Sequence, residues 1–274
     1  MPGYSDTIWL TAQERIDRDK LAALLQANGY VRADTVTDPG EYAVRGGLVD
    51  LFPAGDDGRI PVVAVTGTNG KTTTAWWLAQ ALSALPPDAA LPCGVIGTLG
   101  VGSPPHVVST GLTTPDPVLL QKTLREFADS GLKACAIEAS SIGIEEQRLA
   151  GTRIRVAVFT NFTQDHLDYH GSMAAYWAAK QRLFAWAGLQ AAVINVDDAK
   201  GAELVETLRQ SGLDMWPVSQ IQSTRLHARK VHYLAKGMQL EVVEGDTVCT
   251  LGTHLIGSYN VSNLLGVIGA MRCL

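Results

Sequence analysis

Residues 61–274 predict an α/β fold, a mostly parallel sheet of phosphate-loop type with helices on both faces, and three observations carry that reading. Short apolar runs recur along this stretch, too continuous for strands that keep one wet face. Helical patterns alternate with those runs, as a sheet covered on both faces requires. The first apolar run also opens directly into a glycine turn followed by a helix.

The elements follow in order. Residues 1–60 form a small α+β segment of different character. It holds one amphipathic helix near Arg18–Asn28, with Asp17 as its cap and Gly29 as its stop. In EYAVRGGLVDLFP, Gly46 and Gly47 separate two apolar runs as a hairpin turn does. The polar stretch GDDGRIP, residues 55–61, is the expected domain boundary. Beyond it, strands are expected at 62–66, 93–97, 134–139, 155–160 and 191–195, and helices at about 71–84, 117–130, 172–186 and 199–210. Residues 228–252 alternate in polarity around the turn EGD, which predicts an antiparallel hairpin. A last helix starts near Tyr259 and runs to the chain end.

Composition narrows the function classes. The 274-residue chain has a formal net charge of -5 and no basic cluster, which argues against a nucleic-acid binder. Cys93, Cys135, Cys249 and Cys273 lie far apart, without metal-ligand spacing, and suit a reducing compartment. No signal peptide and no apolar run long enough to span a bilayer is found, so a cytoplasmic protein without a membrane partner is expected.

The chemistry concentrates in VVAVTGTNGKTTTAWWLAQAL, residues 62–82. Backbone N–H groups of such a turn, with the helix N-terminus behind them, form an anion site. Gly67 and Gly70 let the backbone wrap closely, Lys71 can neutralise β/γ-phosphates, and the Thr72 hydroxyl can bind Mg²⁺. The spacing departs from G-x-x-x-x-G-K-[ST], because Val65 stands where the first glycine belongs.

The shorter loop TGTNGKTT resembles the ATP loop of the Mur ligases and their folylpolyglutamate synthetase relatives. LTTPDP, IEASSIGIEEQR, FTNFTQDHLDYHG, YWAAKQRLF and GSYNVSN follow in the same order as in that family, in its tripeptide-synthetase branch. The likeness covers residues 61–274 and implies a central ATP-binding domain. It assigns nucleotide contact to Gly67, Thr68, Asn69, Gly70, Lys71, Thr72 and Thr73, with Asn260 and Asn263 on adenine. It gives Mg²⁺, at two sites, to Thr72, Glu138 and His166, and implies carbamylation of Lys180. Lys71, Glu138, His166 and Lys180 become the expected catalytic set, and Thr113, Thr114, Ser140 and Arg148 the substrate contacts. Glu146 replaces the glutamine that the family often carries two residues before that arginine.

By residue type alone, Glu138 ending a strand sits where open α/β sheets bind ligands. The spacing of Asp165, His166, Asp168 and His170 suggests a metal cluster, but a hydrated polar loop is the commoner explanation, and Lys180 reads as an ordinary helix lysine. Asn260 could simply cap its helix.

The resemblance further implies an ATP-dependent acid–amino-acid ligase that activates the D-Glu carboxylate of UDP-MurNAc-L-Ala-D-Glu as an acyl phosphate before a diamino acid is added, and a monomer is expected. A C-terminal ligase domain is absent from this sequence, so the chain is expected to bind Mg-ATP without ligating. Residues 13–55, through RIDRDKL and PGEYAVRGGLVDLFP, resemble instead a stretch near the start of transcription-repair coupling factor, related to the UvrB helicase family, which suggests a chimera; the rival reading is a degenerate Mur ligase N-terminus with an accidental likeness. The alternative expectations are a non-catalytic nucleotide-binding scaffold and a DNA-binding repair fragment.

Overall fold

The computed structural model describes residues 17–27, 30–36, 41–46, 48–51 and 60–274. The chain divides into two compact units, Met1–Gly58 and Arg59–Leu274. In the first, α1 (Arg18–Ala27) precedes a three-stranded sheet of β1 (Val31–Arg32), β2 (Glu41–Arg45) and β3 (Leu48–Leu51). Asp17 caps α1 as expected, accepting hydrogen bonds from Asp19 N at 2.9 Å and Lys20 N at 3.2 Å. β2 and β3 pair antiparallel, with Gly46 at φ 59°. Such a φ suits glycine because it carries no Cβ. The expected stop Gly29, the second turn glycine Gly47 and most of GDDGRIP lie outside the described residues.

The second unit begins with β4 (Val62–Thr66), α2 (Lys71–Ser83), β5 (Cys93–Gly97), β6 (Gly100–Ser103) and β7 (His106–Val108). It continues through α3 (Pro117–Asp129), β8 (Ala134–Glu138), α4 (Ser141–Glu145), β9 (Ile154–Phe159), α5 (Leu167–His170) and α6 (Met173–Gln181), which a short 3₁₀ turn extends. β10 (Ala191–Asn195), α7 (Ala199–Leu208), β11 (Asp214–Ser219), β12 (Leu226–Leu234), β13 (Gly237–Glu244), β14 (Thr247–Thr253) and α8 (Ser258–Arg272) complete it.

These strands form one sheet in the order β14-β13-β12-β11-β10-β9-β4-β8-β5-β6-β7. Pairing is parallel from β12 through to β5 and antiparallel at both margins. The five expected strands and the α/β class are therefore present. At 226–253 two successive hairpins stand where one was expected, since a second turn at 235–236 joins β12 to β13.

Side chains alternate across the sheet, and the two faces build separate cores. Val63 and Val65 pack with Ala75, Leu78 and Leu82 of α2 and Val261 and Leu265 of α8. Val62 and Ala64 face the other way, towards Leu120 of α3, Trp177 of α6 and Leu204 of α7. β4 is buried along its whole length, so its C-terminal end is a fixed platform for the loop that follows. It lies between β8 and β9, where the chain changes direction across the sheet, and such a switch point opens a crevice for ligands. Among the described residues no helix is long and apolar enough to cross a membrane.

Candidate active site

The phosphate loop, residues 66–71, leaves the end of β4 and is strapped to the segment after β9. Thr68 N donates to Asn161 O at 2.8 Å, and Asn69 N donates to the Asn161 side chain at 2.9 Å. Thr160 Oγ1 and Asn161 Nδ2 both donate to Asn69 O, at 2.7 and 3.0 Å. Gly67, at φ 142°, passes so close that a Cβ would lie 1.9 Å from Thr160 Oγ1. Gly70, at φ 83°, immediately precedes α2, and a Cβ there would meet Asn263 Oδ1 at 2.4 Å. Both glycines are thus required by close approach as well as by φ. No side chain caps α2, which leaves the first N–H groups of a 13-residue helix facing the loop.

Lys71 begins α2 and folds back, donating from Nζ to Gly67 O at 3.1 Å and Thr68 O at 2.8 Å. Burial lowers its pKa, while Glu138 and Asp165 pull it back up. Thr72 Oγ1 donates to Glu138 Oε2 at 2.9 Å. Glu138 ends β8 with 1% of its surface exposed, and accepts also from Thr98 N at 2.8 Å and Thr98 Oγ1 at 3.2 Å. Three donors therefore fix the orientation of a buried carboxylate.

Lys180, on α6, is likewise 1% exposed. Its Nζ donates to Gly67 O at 2.7 Å and lies 4.4 Å from the centroid of the Tyr176 ring. Burial and the neighbouring Lys71 charge lower its pKa to about 7, against an opposing pull from Asp165. His166 sits in the left-handed region at φ 50° just before α5, its ring edge-on to Tyr176 at 5.9 Å.

A cavity of about 460 Å³ brings together Thr68, Asn69, Gly70, Lys71, Thr72, Thr113, Thr114, Glu138, Ser140, Arg148, His166 and Lys180 from the expected set. Gly67 and Thr73 flank that lining without being part of it, and Asn260 and Asn263 also lie outside it. Asn263 is buried beside Gly70, and its Nδ2 is 3.4 Å from Asn260 Oδ1. Asn260 Nδ2 is committed to Ile256 O at 2.8 Å.

On the wall opposite the loop, Thr114 Oγ1 donates to Glu138 O at 2.7 Å and shares a 3.0 Å hydrogen bond with Ser140 Oγ. Ser140 also caps α4 by accepting from Gly143 N. Arg148 donates from Nε to Glu146 at 2.8 Å and from Nη1 to Thr114 O at 2.9 Å. That bond holds the Glu146 carboxyl below the usual range. His170 pairs with the buried Ser141 hydroxyl at 2.9 Å, and burial lowers its pKa.

Sequence reasoning missed Thr98, Asn161 and Tyr176. Thr98 directly follows an expected strand, and Tyr176 precedes Lys180 by one helical turn, so position alone could have drawn notice to both. Asn161 carries the same signal as Thr98, since it directly follows the expected strand 155–160.

A Mg²⁺ ion suits the oxygen pair of Thr72 and Glu138, as a hard cation takes oxygen ligands. Among the described residues no three His, Cys, Asp or Glu side chains converge into a complete metal cage. An ion here would draw its remaining ligands from phosphate oxygens and water, as Mg²⁺ commonly does.

Comparison with known proteins shows which family the chain resembles in sequence and fold. A ligase for UDP-N-acetylmuramoyl-L-alanyl-D-glutamate and 2,6-diaminopimelate from Acidovorax sp. (strain JS42) is 58% identical over 219 residues, covering 79% of this chain and 44% of that protein. The enzyme of the same name from Ralstonia nicotianae is 40% identical, covering 94% of this chain and 52% of that protein. The chain thus spans about half the length of the curated relatives it matches. A solved structure of such a diaminopimelate ligase superposes with a TM-score of 0.71 at 35% identity, over 78% of this chain and 43% of that one. An FPGS-AMPPCP complex shares the fold at a TM-score of 0.56 and 16% identity, over 79% of this chain and 60% of that one. The UvrB interaction domain family matches residues 8–67. The Mur ligase middle domain matches residues 65–271, and the chain belongs to the Mur ligase family.

Proposed function

We propose that residues 59–274 bind Mg-ATP and form the carboxylate-activating part of an ATP-dependent ligase of peptidoglycan precursor synthesis. The observation that carries this reading is the single cavity in which Lys71, Thr72 and Glu138 face Thr114, Ser140 and Arg148. In the whole protein the partners would be UDP-MurNAc-L-Ala-D-Glu and a diamino acid, the pair named for its relatives. A carboxylate oxygen of the D-Glu residue attacks the γ-phosphorus, the bond to the ADP oxygen breaks, and an acyl phosphate forms. The amine then attacks the acyl carbon, phosphate leaves, the amine loses a proton, and an amide results.

Each residue's part follows from its position. The loop N–H groups and the N-terminus of α2 cradle the β- and γ-phosphates, and Lys71 exchanges its two backbone carbonyls for phosphate oxygens. Thr72 and Glu138 would hold one Mg²⁺ and His166 a second, the ions offsetting charge on the transferring phosphoryl group. Asn263, with Asn260 behind it, would face adenine from the start of α8. Thr113, Thr114, Ser140 and Arg148 would hold the muramyl peptide, with Arg148 released from Glu146 by the incoming carboxylate. Lys180, with an amine pKa of about 7, would be carbamylated and become an anion beside the metal sites.

The likeness to a diaminopimelate ligase covers 94% of this chain and so reaches into the first unit, which does not support the chimera, and this chemistry assigns no residue of that unit a part. Mg²⁺-dependent nucleotide binding tests the main reading. Wild type should bind ATP more tightly with Mg²⁺ than with EDTA. In Glu138→Gln, with half the carboxylate's charge-bearing oxygens replaced, the Mg²⁺ concentration needed should rise by at least about tenfold. An unchanged Mg²⁺ requirement in that variant would contradict the assignment.

A further inference from the structure

Tyr176 is fully buried beneath the phosphate loop and belongs to no assigned role. Its hydroxyl lies 3.2 Å from Thr68 Oγ1, and Thr68 Oγ1 in turn accepts from Thr163 N at 2.9 Å and donates to Thr163 O at 3.1 Å. One ring face seats Lys180 Nζ at 4.4 Å. The same ring packs against His170 at 5.2 Å, His166 at 5.9 Å and Phe162 at 5.0 Å. Tyr176 and Lys180 are one helical turn apart on α6, so both project from the same face. They reach consecutive loop residues, Tyr176 the side chain of Thr68 and Lys180 the carbonyl of Gly67.

We propose that Tyr176 is a positioning residue that holds the phosphate loop in its nucleotide-receiving shape and registers it against Lys180 and His166. The inference rests on the nucleotide-binding reading above and deepens it. A loop that must wrap phosphates depends on Gly67 and Gly70 keeping positive φ, and a free loop would spend much of its time elsewhere. Tyr176 is not among the residues that line the cavity, so it can constrain the loop without competing for phosphate. Its ring also fills the space between α6 and the 162–170 segment, so that His166 and Lys180 share one rigid wall.

The test is a double-mutant cycle on Mg-ATP affinity, using the full chain with Tyr176→Phe, Thr68→Val and the two combined. Phenylalanine keeps the ring and removes only the hydroxyl. Tyr176→Phe should weaken Mg-ATP binding by about three- to tenfold, the range one hydrogen bond commands, and Thr68→Val by more, since it also loses both bonds to Thr163. The double variant should be no weaker than the worse single variant, because both remove the same bond. A role in bulk packing alone would give multiplicative losses instead. Tyr176→Leu, which also removes the ring, should in addition lower the yield of carbamate at Lys180, read by ¹³C NMR with ¹³C-bicarbonate, where Tyr176→Phe should not. Wild-type affinity in Tyr176→Phe, or multiplicative losses in the cycle, would overturn the inference while leaving the nucleotide reading in place. Absence of Mg-ATP binding in wild type would overturn both.

Discussion

Lys180 is a buried lysine whose polar partner is a backbone carbonyl rather than a carboxylate, an expensive way to keep a cation. Burial first, and the Lys71 charge second, bring its pKa to about 7. Carbamylation joins Nζ to the carbon of CO₂ with loss of a proton, so it requires the neutral amine. Raising pH through about 7 therefore raises the reactive fraction, and the sign follows from the depressed pKa. With CO₂ held at constant partial pressure, the Lys180 carbamate signal should be weak at pH 6 and rise towards pH 8. A signal that does not change across that range, or that persists in Lys180→Met, would contradict the assignment. The Gly67 and Gly70 contacts make a second point at this scale. Glycine is needed there because Thr160 and Asn263 occupy the space a side chain would take.

At the scale of elements, α3 shows how local chemistry sets a helix boundary. Asp116 accepts from Val118 N at 3.0 Å and Leu119 N at 3.1 Å, and Pro117 occupies the first helical position, where no N–H is required. Asp116→Ala should cost about 1 kcal/mol, seen as a lower urea midpoint at unchanged m-value. An unchanged midpoint would mean that the cap is energetically silent. The same local signals made β4, β5, β8, β9 and β10 legible in the sequence, because buried parallel strands read as unbroken apolar runs. β6 and β7 were not legible: GVGS is short and glycine-rich, and HVV has only three residues, so neither shows a period. β11 was hidden by Pro217, which argues against an interior strand. The sheet accommodates it because β12 pairs with β11 only from Val218 onward, so the missing N–H leaves no ladder bond unmade there. Tyr176 illustrates the corresponding limit for the site. Its partner Thr68 is 108 positions away, a contact that no local pattern encodes.

The whole molecule brings together what the chain keeps apart. The segments after β4, β5, β8 and β9 meet at one end of the sheet because β4 lies between β8 and β9, with β5 beyond β8. Glu138 thereby reaches Thr72 across 66 positions, and Asn161 reaches Asn69 across 92. Strand order creates the site, and motif order along the sequence only signals it. The central claim is that this convergence binds Mg-ATP through the phosphate loop, with Lys71 as the charge that meets the phosphates. The most direct measurement is calorimetric titration of Mg-ATP into wild type and Lys71→Ala. Alanine is well tolerated at the start of α2 and leaves the loop backbone in place. The account predicts saturable binding by wild type and an affinity at least tenfold weaker in Lys71→Ala, about 1.4 kcal/mol. Equal affinities in the two proteins would contradict it.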